Sequence, residues 1–434
     1  MSIFVPADGC PRSVHCAESA CHRESPSRAG RPRTCITGLL AAAWLLSVLL
    51  ARPALSQEQV LRLRLVTTTA SEDNLFRVRD DVTDPQSARG LNGRSDYVST
   101  AALGLLFDKS YALQRFQFDV TQTATRHKKF TFLDRNAFNY RGAWRWNLTP
   151  RVSGVLSTDR AESIVGFEDS QTRGNSITVT TSRSLTIDGW LFGGWHVLAG
   201  ASEQERKNSS AFESLPSTVQ TGGEVGLRYE SAARSSITAT TRRREGVNSG
   251  QEIDRVNFID SGFRIRENEL AATWLTTGRS TLNGRLTRIE QRHAHIPQRD
   301  FSGVGGEFGI AWTPTGKLTV GLSMLRALSA FVQGTTSSYR LEDTLAFTPA
   351  WRLSERTTVR MRASRQVTEY LGPVFAAAGP SRRDVLSSLL LSAEWQVHPK
   401  LALSATLRRD QRTSTDPAVA FGASATTVNA SLSF

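Results

Sequence analysis

The chain has 434 residues, 39% hydrophobic and 21% charged, with a formal net charge of +13. Mean hydropathy is −0.29, and only Ile36–Leu50 approaches the run of about 20 apolar residues that a membrane helix needs, which excludes a polytopic helical membrane protein. All four cysteines (Cys10, Cys16, Cys21 and Cys35) precede residue 36, so no disulfide framework is available to the rest of the chain.

Residues 1–56 read as an extended leader. Arg28, Arg31 and Arg33 supply a positive segment, Ile36–Leu50 an apolar core, and Ala54, Leu55 and Ser56 a small-residue cleavage site, the three parts of a secretory signal. Cleavage after Ser56 is expected. Cys10, Cys16 and Cys21 with His15 and His22 do not have zinc-finger spacing, and no metal role is assigned to them. Removing the six basic and three acidic residues before position 57 leaves a net charge of +10. Residues 57–434 are then an exported, cysteine-free domain.

That domain opens on Val60–Val66 (VLRLRLV), where leucines alternate with Arg62 and Arg64. Arg115–Thr121, Leu318–Met324, Thr358–Ala363 and Leu401–Leu407 repeat the alternation, which predicts strands with one apolar and one polar face. A slower rhythm runs through the same chain: an aromatic residue, a tight polar turn, then a basic residue. It is clearest at Trp146–Arg151, Trp351–Arg356 and Trp395–Lys400, and looser at Trp312–Lys317, Trp274–Arg279 and Tyr229–Arg234. Together with Phe107, Trp190 and Phe434, these aromatics recur every 38 to 45 residues, room for two strands and a longer loop. The loops fall near Ser71–Arg94, His127–Arg135, Ala161–Gly174, Glu205–Ser217, Gly246–Ser261, Arg292–Phe301, Ala330–Thr336, Leu371–Arg382 and Arg412–Gly422.

Short turns on one side and longer loops on the other predict an all-β, antiparallel, up-and-down transmembrane barrel of about 18 strands (16–18 are compatible with the pattern). Such a barrel places the chain in the outer membrane of a Gram-negative bacterium. Trp146, Trp190, Tyr229, Trp274, Trp312, Trp351 and Trp395 would form the periplasmic aromatic girdle. At the C-terminus, Val428, Ala430, Leu432 and Phe434 alternate with polar residues, so Val428, Leu432 and Phe434 are expected to be the signal read by the outer-membrane assembly machinery. A secreted β-propeller also repeats at about 40–45 residues. Its blades hold four short strands, however, where this repeat holds two long ones.

Several stretches resemble the EpsL-type outer-membrane proteins of exopolysaccharide biosynthesis: Ser71–Arg77 (SEDNLFR), Arg94-Ser-Asp96, Leu113–Phe116 (LQRF), Asn139-Tyr140 and Trp144–Gly154. The similarity covers about the first hundred residues after the leader. It implies a barrel acting in exopolysaccharide biosynthesis or export, as conduit or accessory, and it supplies no catalytic residues. Anionic exopolysaccharide and other polysaccharide export proteins would be its partners, beside membrane lipid and lipopolysaccharide. A general diffusion porin or scaffold barrel is the alternative reading, and a barrel-embedded hydrolase or lyase a third.

If the apolar face meets lipid, the other lines the lumen, and Arg62, Arg64, Arg141, Arg145, Arg242, Arg285, Arg360, Arg362 and Arg408 are expected there. With only Asp119 and Asp159 picked out as acids on that face, the wall is expected to favour anions. Arg126, Lys128 and Lys129, near a loop, are candidates for contact with lipopolysaccharide phosphate.

No Gly-x-Ser-x-Gly elbow, phosphate-binding loop or His-Glu-x-x-His motif occurs, and no catalytic residue or cofactor is expected. Gly303–Gly309 (GVGGEFG) lies in a strand pattern rather than a dinucleotide fingerprint. His293-x-His295 lacks a third ligand, and Asp80-Asp81-Val-Thr-Asp84 does not match a calcium loop. The aromatics sit at turns rather than among a basic patch, so nucleic acid is not expected as a partner.

Overall fold

The computed structural model describes residues 60–434 apart from 165, 168–175, 210–216, 250–251, 257, 332–336, 373 and 375–380. The leader over residues 1–56, with its signal segment and cysteines, lies outside the described residues.

The strands are β1 (Leu61–Glu72), β2 (Asp96–Tyr111), β3 (Gln114–His127), β4 (Arg135–Thr149), β5 (Val152–Ile164), β6 (Ile177–Phe192), β7 (Trp195–Asn208), β8 (Ser217–Glu230) and β9 (Ser236–Ser249). They continue as β10 (Gly262–Thr277), β11 (Ser280–His293), β12 (Phe301–Thr315), β13 (Leu318–Ala330), β14 (Tyr339–Arg352), β15 (Thr357–Leu371), β16 (Arg383–His398), β17 (Leu401–Ser414) and β18 (Phe421–Ser433). All belong to one 18-stranded sheet in which each strand pairs antiparallel with its chain neighbours. The sheet closes where β1 pairs with β18, with Leu65 opposite Leu432 and Val66 opposite Ser431. The backbones of Leu63 and Phe434 complete the seam, each N–H donating to the other's carbonyl at 3.1 and 2.8 Å.

One end of the barrel carries short turns and the other carries nine longer connections, L1 (73–95), L2 (128–134), L3 (165–176), L4 (209–216), L5 (250–261), L6 (294–300), L7 (331–338), L8 (372–382) and L9 (415–420). Among the described residues, the helical segments are four three-residue 3-10 turns, and none is long or apolar enough to cross a membrane. At the two-residue turn after β6, Gly193 has φ +55° and a Cβ on Gly194 would stand 2.0 Å from the Glu230 carbonyl, so neither position admits a side chain without rearrangement.

The aromatic-to-turn rhythm of the sequence coincides with β-bulges. Register shifts follow Trp146 (Asn147/Thr149), Trp274 (Leu275/Thr277), Trp312 (Trp312/Thr315) and Trp395 (Gln396/His398), each beside a turn. An extra residue there increases the local twist and re-aims the side chains next to it.

Directly opposed residues of an antiparallel ladder share a face, so the registers assign every strand residue to one of two faces. One face is apolar and exposed: Leu63, Leu105, Phe118, Trp144, Leu156, Leu227, Leu270, Leu286, Phe308, Phe347 and Leu391 stand on it. The other lines the interior. A cavity of about 590 Å³ is walled by Ser163 of β5, Thr178 of β6, Arg206 of β7, Gln220 of β8, Arg244 of β9, Glu267 of β10 and further residues as far as Arg340 of β14. Only the inside of a closed sheet can touch so many consecutive strands.

The fully buried apolar cluster belongs to the loop end. Leu75, Phe76 and Val78 of L1 pack with Phe130 and Leu133 of L2, and Val98 of β2 and Phe167 of L3 lie against them. The Phe76 ring meets Phe130 edge-on at 4.7 Å and Phe167 at 5.0 Å. Truncating a fully buried phenylalanine costs about 3–5 kcal/mol. Phe76→Ala is therefore expected to leave the barrel closed but to abolish slow amide exchange over residues 73–98, read by hydrogen–deuterium exchange mass spectrometry. Unchanged protection there would contradict the packing described.

Candidate functional site

All nine arginines named from the sequence stand on the inward face by register, and five of them meet a carboxylate on the same wall. Arg242 on β9 bridges Glu224 on β8 at 2.6 Å and Glu267 on β10 at 2.9 Å, and Arg244 also pairs with Glu267. Arg285 meets Glu307 at 2.9 Å, Arg360 meets Glu394 at 2.7 Å, Arg408 meets Asp410 at 2.8 Å and Arg64 meets Asp119 at 3.7 Å. Arg145 donates to Gln117 at 3.0 Å. Arg62, Arg141 and Arg362 make no ion pair among the described residues, although Arg141 stands opposite both Asp119 and Asp159.

The basic excess is therefore smaller than the sequence suggests. Glu224, Glu267, Glu307, Glu394 and Asp410 share the wall, as do Asp108, paired with Arg115, and Asp188, paired with Arg228 and His196. The sequence reading missed these acids because a carboxylate in a strand has no visible partner until the neighbouring register is known. Hydroxyls fill the intervening positions, including Thr178, Thr180, Ser157 with Ser184 at 2.7 Å, Thr238 and Thr240.

Among the aromatics named for the girdle, Trp146, Tyr229, Trp274, Trp312, Trp351 and Trp395 stand on the apolar face near the turns. Trp190 differs. It lies opposite His196, whose ring nitrogen is 2.7 Å from Asp188, so it shares the inward face, under the Arg151 guanidinium at 4.9 Å. In the bulged ends of β4, β10 and β16 the tryptophan comes one residue before the last regular pair, whereas in β6 that place is Gly189. A one-residue offset reverses the face. Trp195, across the turn and opposite Tyr229, supplies the outward aromatic instead. At the C-terminus, Val428 and Leu432 stand on the outward face, opposite Ala405 and Leu401, and Lys400 Nζ lies 5.8 Å from the Phe434 ring.

The mouth is closed down by loops that lean on the inner wall. Arg77 of L1 donates to Glu72 at 3.2 Å, approaches Asp410 at 4.0 Å and lies 6.0 Å from the Phe421 ring, all inward positions of β1, β17 and β18. Asn74, fully buried, donates to the carbonyls of Val78 and Gly422 at 2.6 and 2.8 Å. Arg77 holds φ +52°, a strained conformation for a side chain of that size, which these contacts enforce.

A paired device repeats at two places on the rim, and nothing in the sequence reading had marked it. In L2, His127 N–H donates to Asp134 at 2.7 Å, while Asp96 accepts from Lys129 N–H (2.9 Å) and Phe130 N–H (3.2 Å). In L6, His293 N–H donates to Asp300 at 2.7 Å, while Asp260 accepts from His295 N–H (2.6 Å) and Ile296 N–H (2.9 Å). The signal was the matching spacing of His127 to Asp134 and His293 to Asp300. His293 and His295 are thus held by different aspartates. Gly303–Gly309 lies within β12, and Asp84 caps the Gly93 N–H at 2.6 Å. Among the described residues no group of three or more His, Cys, Asp or Glu is placed to hold a metal ion.

A closed sheet with an apolar outer belt and a polar interior satisfies every backbone group without water, and this chain is an outer-membrane β-barrel of the Gram-negative type. No family model and no curated protein matches the chain. Among solved structures it is similar to the outer membrane protein OpdK of Pseudomonas aeruginosa (9% identity over 86% of this chain and 99% of that one, TM-score 0.47). It is also similar to OccK2 of the same organism in complex with glucuronate (11%, 86% and 98%, TM-score 0.48) and to the siderophore receptor PirA (10%, 86% and 80%, TM-score 0.43). Likenesses at this level carry no argument about substrate, which rests on the wall and mouth of this chain.

Burial would raise the Asp260 carboxyl, but hydrogen bonds from the His295 side chain and from the backbone of His295, Ile296 and Gly262 outweigh it and hold the pKa at about 2. A depressed folded-state pKa contributes stability above the unfolded value, and that contribution is lost as pH falls through the folded one. Amide protection of His295 and Ile296 is therefore expected to persist below pH 4 and fail near pH 2. Asp260→Asn is expected to remove much of it at neutral pH. Equal protection in Asp260→Asn and the parent at pH 7 would contradict the clamp.

Proposed function

We propose that the protein is an outer-membrane channel for small polar solutes, with the paired arginines and carboxylates of its inner wall setting a weak selectivity. The observation that carries this reading is the continuous inward polar face, which opens into the cavity beneath L5, L6 and L7. Barrels of 16–18 strands are wide enough for an aqueous lumen. Pairing with acids on the same wall offsets much of the arginine charge, and Arg62, Arg141, Arg145 and Arg362, which meet no carboxylate among the described residues, leave a modest preference for anions. On this reading Trp146, Tyr229, Trp274, Trp312, Trp351 and Trp395, joined by Trp195 in place of Trp190, anchor the periplasmic interface. Val428, Leu432 and Phe434 present the terminal strand to the assembly machinery. Residues 1–56 serve as the export leader.

Action in exopolysaccharide export is the second reading, and one observation favours it. The stretch Ser71–Arg77 that carries the family resemblance ends β1 and opens the part of L1 that builds the mouth, through Asn74, Phe76 and Arg77. Anionic polysaccharide would then meet the same wall.

In planar bilayers the purified barrel is expected to conduct, with a reversal potential slightly on the anion side. Glu267→Gln, which leaves Arg242 and Arg244 short of a counter-charge, should move it further that way. An absence of conductance, or a reversal potential that ignores Glu267, would refute the channel reading. Deletion of the gene with separate assays of cell-bound and released polysaccharide tests the second reading, and unchanged amounts in both fractions would reject it.

A further inference from the structure

The outward face of β8–β11 carries charge where a barrel wall normally meets lipid. Registers order its outward residues into rows. One row is apolar, Leu227–Ala239–Leu270–Leu286, and the next toward the loops is Val225–Thr241–Asn268–Arg288. Above it come Gly223–Arg243–Arg266–Glu290 and then Thr221–Glu245–Arg264–Arg292. The sequence of rows runs from hydrocarbon to cation toward the loop end.

The two lower rows enclose an outward groove of about 640 Å³, floored by Ala239 and walled by Val197, Leu227, Leu270 and Leu286, with Arg288 at its edge. Directly above, Arg243 and Arg266 are opposed across the β9–β10 ladder. Like charges so placed repel. Arg243, Arg266 and Arg288 are exposed and make no ion pair or hydrogen bond among the described residues. The acids of the neighbourhood are engaged elsewhere, Glu245 by Arg264 at 3.0 Å and Glu290 by Arg292 at 2.9 Å. Some other charges of the outward face come in pairs, such as Arg183 with Glu203 and Arg326 with Asp343.

Arg266 lies eight residues from Trp274 along β10, roughly 20 Å along the membrane normal for a tilted strand, close to the upper edge of an apolar band about 25 Å tall. Longer loops mark that end as the extracellular one, where the leaflet is made of phosphorylated glycolipid. We infer that Arg243, Arg266 and Arg288, with the groove below them, form a binding site for one lipopolysaccharide molecule, its phosphate on the arginines and an acyl chain in the groove. The guanidinium forks match phosphate oxygens, and an anionic headgroup relieves the repulsion between Arg243 and Arg266. Leu345, Phe347, Ala363 and Leu389 with Arg365 and Arg409 repeat the layout elsewhere on the outer wall.

The test is binding of fluorescent lipopolysaccharide to the purified full barrel in micelles, comparing the parent with Arg243→Gln/Arg266→Gln/Arg288→Gln. Loss of these charge-assisted contacts should weaken binding about tenfold or more. The triple lysine variant should stay within a few-fold, and Arg183→Gln should bind as the parent does. Lipopolysaccharide stripped of its phosphates should fail to compete. Equal binding by the parent and the glutamine variant, or equal competition by the stripped lipid, overturns the site. Displacement by inorganic pyrophosphate alone, as effective as the intact lipid, would overturn the lipid as occupant. Heat-modifiable gel mobility reports whether each variant is folded. If the glutamine variant does not fold, the lysine variant and the two competitors decide the outcome.

Discussion

In hydrocarbon no water is available to satisfy a peptide group, and the whole molecule follows from that constraint. Eighteen strands meet it by closing on themselves, with the last backbone bonds made between Leu63 and Phe434. Closure divides each strand into alternate residues with opposite environments. A composition that is only 39% hydrophobic suffices, because one residue in two needs to face lipid. Most of the polar half then faces the interior, where charges find one another on the wall.

They do so in a ladder that links consecutive strands, as with Arg242 between Glu224 and Glu267. Ion pairs in contact with water contribute about 0–1 kcal/mol each, so the ladder has little to do with the stability of the barrel. Its consequence is electrostatic: a wall dense in charge but close to neutral, which on the proposed channel reading would admit polar solutes without trapping them. Selectivity then resides in the few groups without partners and in the mouth, where Arg77 reaches inward to Glu72 and Asp410. Outside, Arg243, Arg266 and Arg288 have the opposite meaning under the proposed lipid site, where an anionic headgroup completes them.

Strand number, turn positions and the outward belt are legible in the sequence because they depend on periods of two and of about forty residues, both local or repeated. Trp190 shows the limit of that reading: it looks like the other turn tryptophans, but one residue of offset at a bulge places it beside Asp188 and His196. Glu224, Glu267 and Glu307 could not be nominated, because their roles are set by the exact register with the adjacent strands, which the alternation alone does not give. The packing of Phe76 against Phe130 was equally hidden, since loop residues carry no periodicity. His293 and His295 illustrate the same point from the other side. Two residues apart at the end of β11, they are claimed by Asp300 and Asp260 respectively.

The central claim is that alternate residues of a single strand face a water-filled conduit and the lipid. Residues 57–434 contain no cysteine, so single cysteines can be placed at will. Thr240 lies opposite Gly226 and Glu269 on the inward face, and Thr241 opposite Val225 and Asn268 on the outward one. The most direct measurement is the conductance of Thr240→Cys and Thr241→Cys in planar bilayers before and after a bulky water-soluble thiol reagent. The account predicts a fall in conductance for Thr240→Cys and none for Thr241→Cys. Conductance unaffected in both, or reduced equally in both, would contradict it.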